Sequence, residues 1–395
     1  MKIWYICQFA SMPNEGKYQR QFSLCKYMAN DVSLFAGRHI HSSNFFFWSL
    51  NKKNIYDDVN LILINGILSK SGINIKRILS MLNFELFLLI STFFTKKSER
   101  PDVIIASSLS LFSFCSGVIL SKKFNCKLII EVRDIWPESP ILAGKLKEKS
   151  ALVKILRRIE LLGYRKSNGI VATMPKFDLY MQRKYPSISF NFCHLSQGYD
   201  KQVQITESIE YKLPEGFNVC YAGNFDFADK IELMVDSAIL LHENKNIHFY
   251  FIGNGPMKDV MKFKTNKFKT ITFLDSIPKA KVISFLSKFN LLIMAMRDLQ
   301  LYDYGISPNK MVDYLLSGKP LLVAYNGYKD ILNEVNCGKY IETDNPQLLA
   351  DTILEFSKMD KNELIAMGKR GKKYAESNMD FEMLSTKLLE FIKLV

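Results

Sequence analysis

Two kinds of stretch take turns along this chain. Short runs rich in β-branched, aliphatic and aromatic residues, such as Ile3-Trp4-Tyr5-Ile6, Val32 to Phe35, Pro101-Asp102-Val103-Ile104-Ile105-Ala106-Ser107-Ser108, Lys127-Leu128-Ile129-Ile130-Glu131-Val132 and Gly169-Ile170-Val171-Ala172-Thr173, are bounded by turn or charged residues. Such runs fit strands buried on both faces of a parallel sheet. Between them, apolar residues recur at helical spacing, from Arg20 to Met28, from Val153 to Tyr164 and from Phe381 to Leu394. The segment Lys201 to Gly216 lacks either period and ends in Pro214 and Gly216, so it reads as a linker. The rhythm then restarts with Phe217-Asn218-Val219-Cys220-Tyr221-Ala222, His248 to Ile252 and Leu291 to Met294. The pattern predicts an α/β protein of two Rossmann-like domains, residues 1–200 and 216–380, followed by a terminal amphipathic helix, 381–395.

In doubly wound sheets ligands gather at the carboxyl ends of the strands, so the strand exits are the places to look for chemistry. After the first strand, Gln8 to Tyr18 holds Pro13, Asn14 and Gly16 before Arg20 opens a helix; a loop presenting the Gly16 amide and Arg20 to a ligand and a plain surface connection fit equally well. Gly37-Arg38-His39-Ile40-His41 places two histidines two apart, too few for a metal site, in a loop suited to line an acceptor. Arg133-Asp134-Ile135-Trp136-Pro137-Glu138-Ser139 leaves a buried strand with adjacent charges, a costly arrangement unless they meet partners or substrate. Gly223-Asn224 and Gly253-Asn254-Gly255 put glycines where backbone can approach a phosphate. Neither is the GxGxxG fingerprint, which argues against a nicotinamide-dependent dehydrogenase.

The densest signal is Tyr304-Gly305-Ile306-Ser307-Pro308-Asn309-Lys310-Met311-Val312-Asp313-Tyr314, closed by Gly318 and Pro320. A turn feeds a helix whose first amides lack intrahelical partners, and with the helix dipole and Lys310 they favour an anion such as a phosphate. Asp313, one turn on, can accept hydrogen bonds from sugar hydroxyls. The plain alternative is an ordinary helix start with Ser307 as cap and Lys310 on a solvated face.

Composition narrows the partners. The chain has 395 residues, 48% hydrophobic, with a formal net charge of +14 and a pI near 9.2; such a balance favours polyanionic surfaces, nucleic acid or anionic membrane. No arginine cluster with interleaved aromatics supports nucleic acid. Seven scattered cysteines form no C-x-x-C and fit a reduced, cytoplasmic setting, and the apolar run at Met1 to Ile6 is too short for a signal peptide. The most apolar stretch, Ile78 to Phe94, is broken by Asn83 and Glu85 and is too short to span a bilayer. Flanked by Lys76, Arg77, Lys96, Lys97 and Arg100, it fits either an interfacial helix bearing Phe84, Phe87 and Leu88 or a buried crossover helix.

Ser307-Pro308-Asn309-Lys310, Asp313-Tyr314 and Gly318-Lys319-Pro320 resemble the donor-binding helix of glycosyltransferase family 4, and Glu131-Val132-Arg133-Asp134-Ile135-Trp136-Pro137-Glu138-Ser139 resembles a signature of its WbuB-like branch in O-antigen and capsule assembly. The resemblance runs along nearly the whole chain. It implies the GT-B fold, two Rossmann-like domains facing one another across a cleft, with the terminal helix returning to the first, acceptor-binding domain. It implies a retaining transfer from a nucleotide-diphosphate sugar to a lipid-pyrophosphate-linked saccharide. The donor is expected to be UDP-linked, with an N-acetylated deoxyhexosamine among the sugars allowed. No metal and no cofactor besides this co-substrate is expected. By the same resemblance Gly223, Asn224 and Lys230 hold the diphosphate, Ser307, Pro308, Asn309 and Lys310 open the donor-binding helix, Gly16 sits in a loop facing the cleft, Ile277 lies in the segment meeting the nucleobase, and Asp313 holds the ribose; Gly253 and Gly255 join the donor site by their place at a strand exit. Arg133, Asp134 and Glu138 face the acceptor, and the enzyme works at the cytoplasmic face of the inner membrane. Two departures stand out: Gln197 replaces the asparagine of an Asn-Gly-x-Asp turn, and Gly305 stands where most members carry the first of two glutamates, which leaves a non-catalytic sugar-nucleotide binder as the alternative.

Overall fold

The computed structural model describes residues 1–11, 19–28, 31–37, 52–56, 59–64, 75–202, 209–226 and 228–395. Gly16, His39 and His41 lie outside these. The chain divides into two compact units, one formed by Met1–Ser196 with Phe381–Val395 and the other by Gln197–Asp380.

The first unit runs β1 (Lys2–Ile6), α1 (Arg20–Lys26), β2 (Asp31–Gly37), β3 (Lys52–Tyr56), β4 (Val59–Ile64), α2 (Ile75–Phe93), β5 (Val103–Ser107), α3 (Phe112–Phe124), β6 (Lys127–Val132), α4 (Glu138–Leu142), α5 (Ala151–Lys166), β7 (Gly169–Ala172), α6 (Phe177–Lys184) and β8 (Phe192–His194). Among the described residues its eight strands lie in the order β3-β4-β2-β1-β5-β6-β7-β8. All neighbours are parallel except the edge strand β3, which runs antiparallel to β4 from Lys52↔Leu63 to Tyr56↔Val59. Parallel strands need covered faces, and residues of β5 and β6 such as Ile104, Ile105, Ile129 and Ile130 are wholly buried.

The second unit continues with β9 (Phe217–Ala222), α7 (Ile231–Leu240), β10 (Ile247–Ile252), α8 (Lys258–Lys264), β11 (Ile271–Leu274), α9 (Lys279–Leu286), β12 (Leu291–Ala295), α10 (Asn309–Leu316), β13 (Leu321–Ala324), α11 (Ile331–Val335), β14 (Gly338–Ile341), α12 (Pro346–Lys358) and α13 (Lys361–Asn378). Its six strands are all parallel, in the order β11-β10-β9-β12-β13-β14. The order reverses between β9 and β12, and the crevice at the carboxyl ends of two such strands is where an open α/β sheet binds its ligand. The final helix, α14 (Phe381–Leu394), returns to the first unit: Ser385 Oγ donates to the carbonyl of Leu24 at 2.9 Å, and Leu384, Leu388 and Ile392 join the core formed by Ile3, Tyr5, Phe22 and Leu34.

Three sequence expectations change. The segment after Lys201 is no free linker where it is described, because Ile209, Tyr211 and Leu213 pack against the second core and the ring of Tyr211 meets that of Tyr250 edge-on at 6.1 Å. Arg20 is not presented to a ligand: it is 3% exposed, with Nε 3.0 Å from Glu131 Oε1 and Nη2 donating to the carbonyl of Leu195 at 2.8 Å. It ties α1 to β6 and to the exit of β8, and loss of one partner in such a buried pair costs on the order of 3–5 kcal/mol. In α2, Phe84 and Leu88 are fully buried rather than available to a membrane, while Leu82, Leu86 and Ile90 face outward.

Candidate active site

The strand exits of the second unit build a charged site around Lys310. Pro308, in extended conformation, occupies the cap position of α10 and no side chain caps the helix, so Ser307 is not the cap; its Oγ instead accepts from the amide of Gln197 at 3.1 Å. Tyr314 fixes the helix to β9, its hydroxyl accepting from Ala222 N–H at 2.7 Å and donating to Ala222 O at 3.1 Å. That double contact sets Lys310, one turn earlier, over the exit of β9. Its ammonium is paired with Asp229 and donates to the hydroxyl of Tyr221 at 3.1 Å, whose ring centroid lies 4.9 Å away. Lys310 is therefore inside the fold and not on a solvated face. Burial pushes its pKa down and that of Asp229 up, while their mutual attraction opposes both shifts.

Gly223 has a different use from the one predicted. Its N–H donates to the carbonyl of Ile252 at 2.9 Å, extending the β9–β10 ladder, so that amide is spent and does not meet a phosphate. What the glycine supplies is space: a Cβ there would lie 2.7 Å from both Lys310 Nζ and the hydroxyl of Tyr221. Asn224 is exposed, and its carbonyl accepts from Tyr221 Oη at 2.5 Å. Gly253 and Gly255 hold φ of 138° and 154° on the turn leaving β10, which packs against the backbone of Gly223 and Phe225.

Lys230 precedes α7 in the left-handed region, at φ 36°. Its ammonium pairs with Asp344, and burial followed by the charge of Arg297 lowers its pKa. Arg297 leaves β12 on the other side of the switch point and contacts Glu232 Oε1 at 2.6 Å. Sequence reading passed over Arg297, although the rule that picks out strand exits points to it. Three cations and their carboxylates thus converge where β9 and β12 diverge. Asp313 is buried, and its two oxygens accept from Lys279 Nζ at 2.5 and 2.6 Å; burial raises its pKa and Lys279 pulls it down. Ile277, partly buried, packs beside this core at the end of the loop after β11. Asn309 is exposed at the first turn of α10.

In the first unit the exit of β6 is held firmly. The amide of Arg133 donates to Ser108 Oγ at 2.8 Å and its guanidinium to Gln21 Oε1 at 3.4 Å. Asp134 accepts from the hydroxyl of Ser139, and burial raises its pKa. Trp136 lines an apolar pocket with Ile78, Met81, Phe112 and Leu156. Glu138 stands apart in its chemistry: Arg157 grips both of its oxygens at 3.0 Å and Lys184 reaches it at 2.8 Å. Burial raises its pKa, but these hydrogen bonds outweigh burial and leave it below the ordinary value. Lys184 also meets Glu160, which is fully buried and accepts from Tyr180 and Tyr185 at 2.7 Å each. Its engagement in this network makes Glu138 an anchor of α4 to α5 and α6, whereas Asp134 is held at the exit of β6 by Ser139, the backbone of Ile135 and the side chain of Trp136. Among the described residues no group of three or more His, Cys, Asp or Glu is arranged to hold a metal ion.

Residues 216–358 match the family model described as glycosyl transferases group 1, and the two parallel-sheet units together have the GT-B fold. This is the architecture and the domain of a glycosyltransferase. Among curated proteins, the chain is 22% identical to the probable glycosyltransferase WbjE of Pseudomonas aeruginosa over 294 residues, 71% of this chain and 72% of that one. Among solved structures, sucrose-phosphate synthase from Thermosynechococcus elongatus aligns with a TM-score of 0.75 and 13% identity, covering 100% of this chain and 98% of that one. HepE of Anabaena, solved in complex with UDP-glucose, aligns over the whole of both chains with a TM-score of 0.66 and 12% identity.

Proposed function

We propose that this protein transfers a sugar from a UDP-linked donor, bound by the second unit, to a hydroxyl of a lipid-pyrophosphate-linked saccharide, with retention of anomeric configuration and without a metal ion. The reading places it in family 4, in the WbuB-like branch that builds O-antigen or capsule polysaccharide at the cytoplasmic face of the membrane. The observation that carries it is the convergence of Lys310, Lys230 and Arg297 at the switch point between β9 and β12. The glycosyl C–O bond to phosphate breaks and its electron pair stays on the diphosphate, so negative charge grows where these cations stand. The acceptor oxygen forms the new bond and gives up its proton to the leaving group. Each cation is neutralised by a carboxylate in the structure, and the donor's phosphates take over that partnership on binding. Asp313, with Lys279, holds the ribose in this reading, and Asp134 orients the acceptor.

A second reading, a sugar-nucleotide binder without transferase activity, is favoured by Gly305, where the resemblance calls for a glutamate. One experiment separates the two: calorimetric titration with UDP, then assay of UDP release with lipid-linked acceptor in excess chelator. Charge-assisted contacts contribute roughly 1.5–3 kcal/mol each, so Lys310→Ala and Lys230→Ala are each expected to weaken UDP binding by about one to two orders of magnitude. Unchanged affinity in both variants would mean the diphosphate binds elsewhere. Binding without release in any acceptor extract points to the second reading, and release that returns only with added Mg²⁺ or Mn²⁺ counts against metal-free transfer.

A further inference from the structure

Helix α2 has two apolar faces, and only one of them is covered by other described residues. Met81, Phe84, Leu88 and Thr92, at 3%, 0%, 0% and 3% exposure, recur at steps of three and four and form the buried face. On another face Leu79, Leu82, Leu86, Ile90 and Phe93 recur at the same steps with exposures of 50%, 44%, 55%, 57% and 60%, and Phe94 follows at 87%. A surface helix ordinarily carries polar residues there, and a contiguous apolar patch marks an interaction site. Helix α3 packs beside α2 and adds Ile119, 51% exposed.

Positive charge gathers at one end of this stripe. Lys123 Nζ sits 3.8 Å from the ring centroid of Phe93 and donates to its carbonyl, joining the end of α2 to α3. Lys96, Lys97, Arg100 and Lys122 are exposed around it, and Lys76 is exposed at the other end. No helix among the described residues is long and apolar enough to cross a membrane.

We propose that the outer face of α2 docks on an anionic phospholipid bilayer. The helix lies in the interfacial plane with Leu79, Leu82, Leu86, Ile90 and Phe93 immersed at the headgroup boundary, and Lys96, Lys97, Arg100, Lys122 and Lys123 meet the lipid phosphates. The alternative occupant, the same face of a second copy, would bring two lysine clusters of a chain with net charge +14 together, whereas anionic lipid neutralises them. This surface names how the enzyme of the preceding section reaches a lipid-linked acceptor, yet the inference does not depend on transfer, because its test reads lipid binding alone.

The full chain is centrifuged with phosphatidylglycerol-rich vesicles and with phosphatidylcholine vesicles across a range of salt. Wild type is expected to pellet with the anionic vesicles at low salt and to be released as salt rises. Leu86→Glu with Ile90→Glu, both exposed positions, should lower the partition by on the order of tenfold or more while the melting curve stays unchanged. Phe94→Trp provides a reading that leaves the stripe intact: its added emission should shift to the blue when anionic vesicles are mixed in. Wild type that stays in the supernatant with anionic vesicles overturns the proposal. So does a double variant that folds and pellets like wild type, or a Phe94→Trp spectrum indifferent to vesicles. A wild-type dimer in sedimentation velocity that the double variant splits, with vesicle binding retained, assigns the face to self-association instead.

Discussion

Glu85 shows how a single residue can be visible in a sequence while its setting is not. In the apolar run of α2 it reads as an interruption that keeps the helix from crossing a membrane, yet the structure turns it inward, 6% exposed, with Ser113 Oγ donating to it at 2.6 Å. Burial raises its carboxyl to about 7 from an ordinary value of 4.5, and the hydroxyls of Ser113 and Ser116 reverse only part of that. The fold thus favours the protonated form. Its contribution is fully present below the unfolded value and is lost as pH rises through the folded one, a span worth roughly 3 kcal/mol. Glu85→Gln mimics the neutral state, so denaturant melts between about pH 5 and pH 8 should show wild type losing stability and the variant losing much less. Equal slopes for the two proteins would assign the titration to another group. The same limit applies to Lys310, whose motif is legible in sequence while its partner Asp229, 81 positions away, is supplied by the tertiary fold.

Among elements, those whose signal is local were read well. Helix α10 follows Pro308 and closes at Gly318, which has φ 69°, as the turn chemistry predicts, and α14 and β6 have the predicted bounds. Edge strands β3, β8 and β11 were missed, and so were β13, β14 and β4, the last in spite of its apolar run Val59–Ile64. Leu321-Leu322-Val323-Ala324 is only four residues long, and its identity depends on pairing with β12 and β14 rather than on any period of its own. The loop that feeds α10 explains one departure from the family pattern. Gly305 has φ 89° and ψ 169°, a region closed to residues with a Cβ. Restoring the expected carboxylate by Gly305→Glu is therefore predicted to destabilise the protein by about 1–3 kcal/mol, seen as a lower denaturant midpoint. An undiminished midpoint would mean that the loop relaxes freely and that glycine is not required by its backbone.

For the molecule as a whole, the restart of the strand-helix rhythm at Phe217 made two domains legible, because each period is written in local hydrophobicity. Less legible was where the second one begins, since Gln197 to Leu213 looks polar and aperiodic but contributes to packing through Tyr199, Ile209, Tyr211 and Leu213. The first unit is completed only by α14, so the second lies within its sequence as an insertion, entered at Gln197 and left at Asp380. Those two ends are joined: Tyr199 N–H donates to Met379 O at 2.9 Å, and Tyr199 bridges Asp380 in parallel. A segment whose ends already touch loses little when cut free, because no long loop must be closed to bring them together. Residues 197–380 form in this sense a portable cassette. Expressed alone, they should give a cooperative melt and bind UDP with the affinity of the intact chain, whereas a chain ending before Phe381 should aggregate, its first core stripped of Leu384, Leu388 and Ile392.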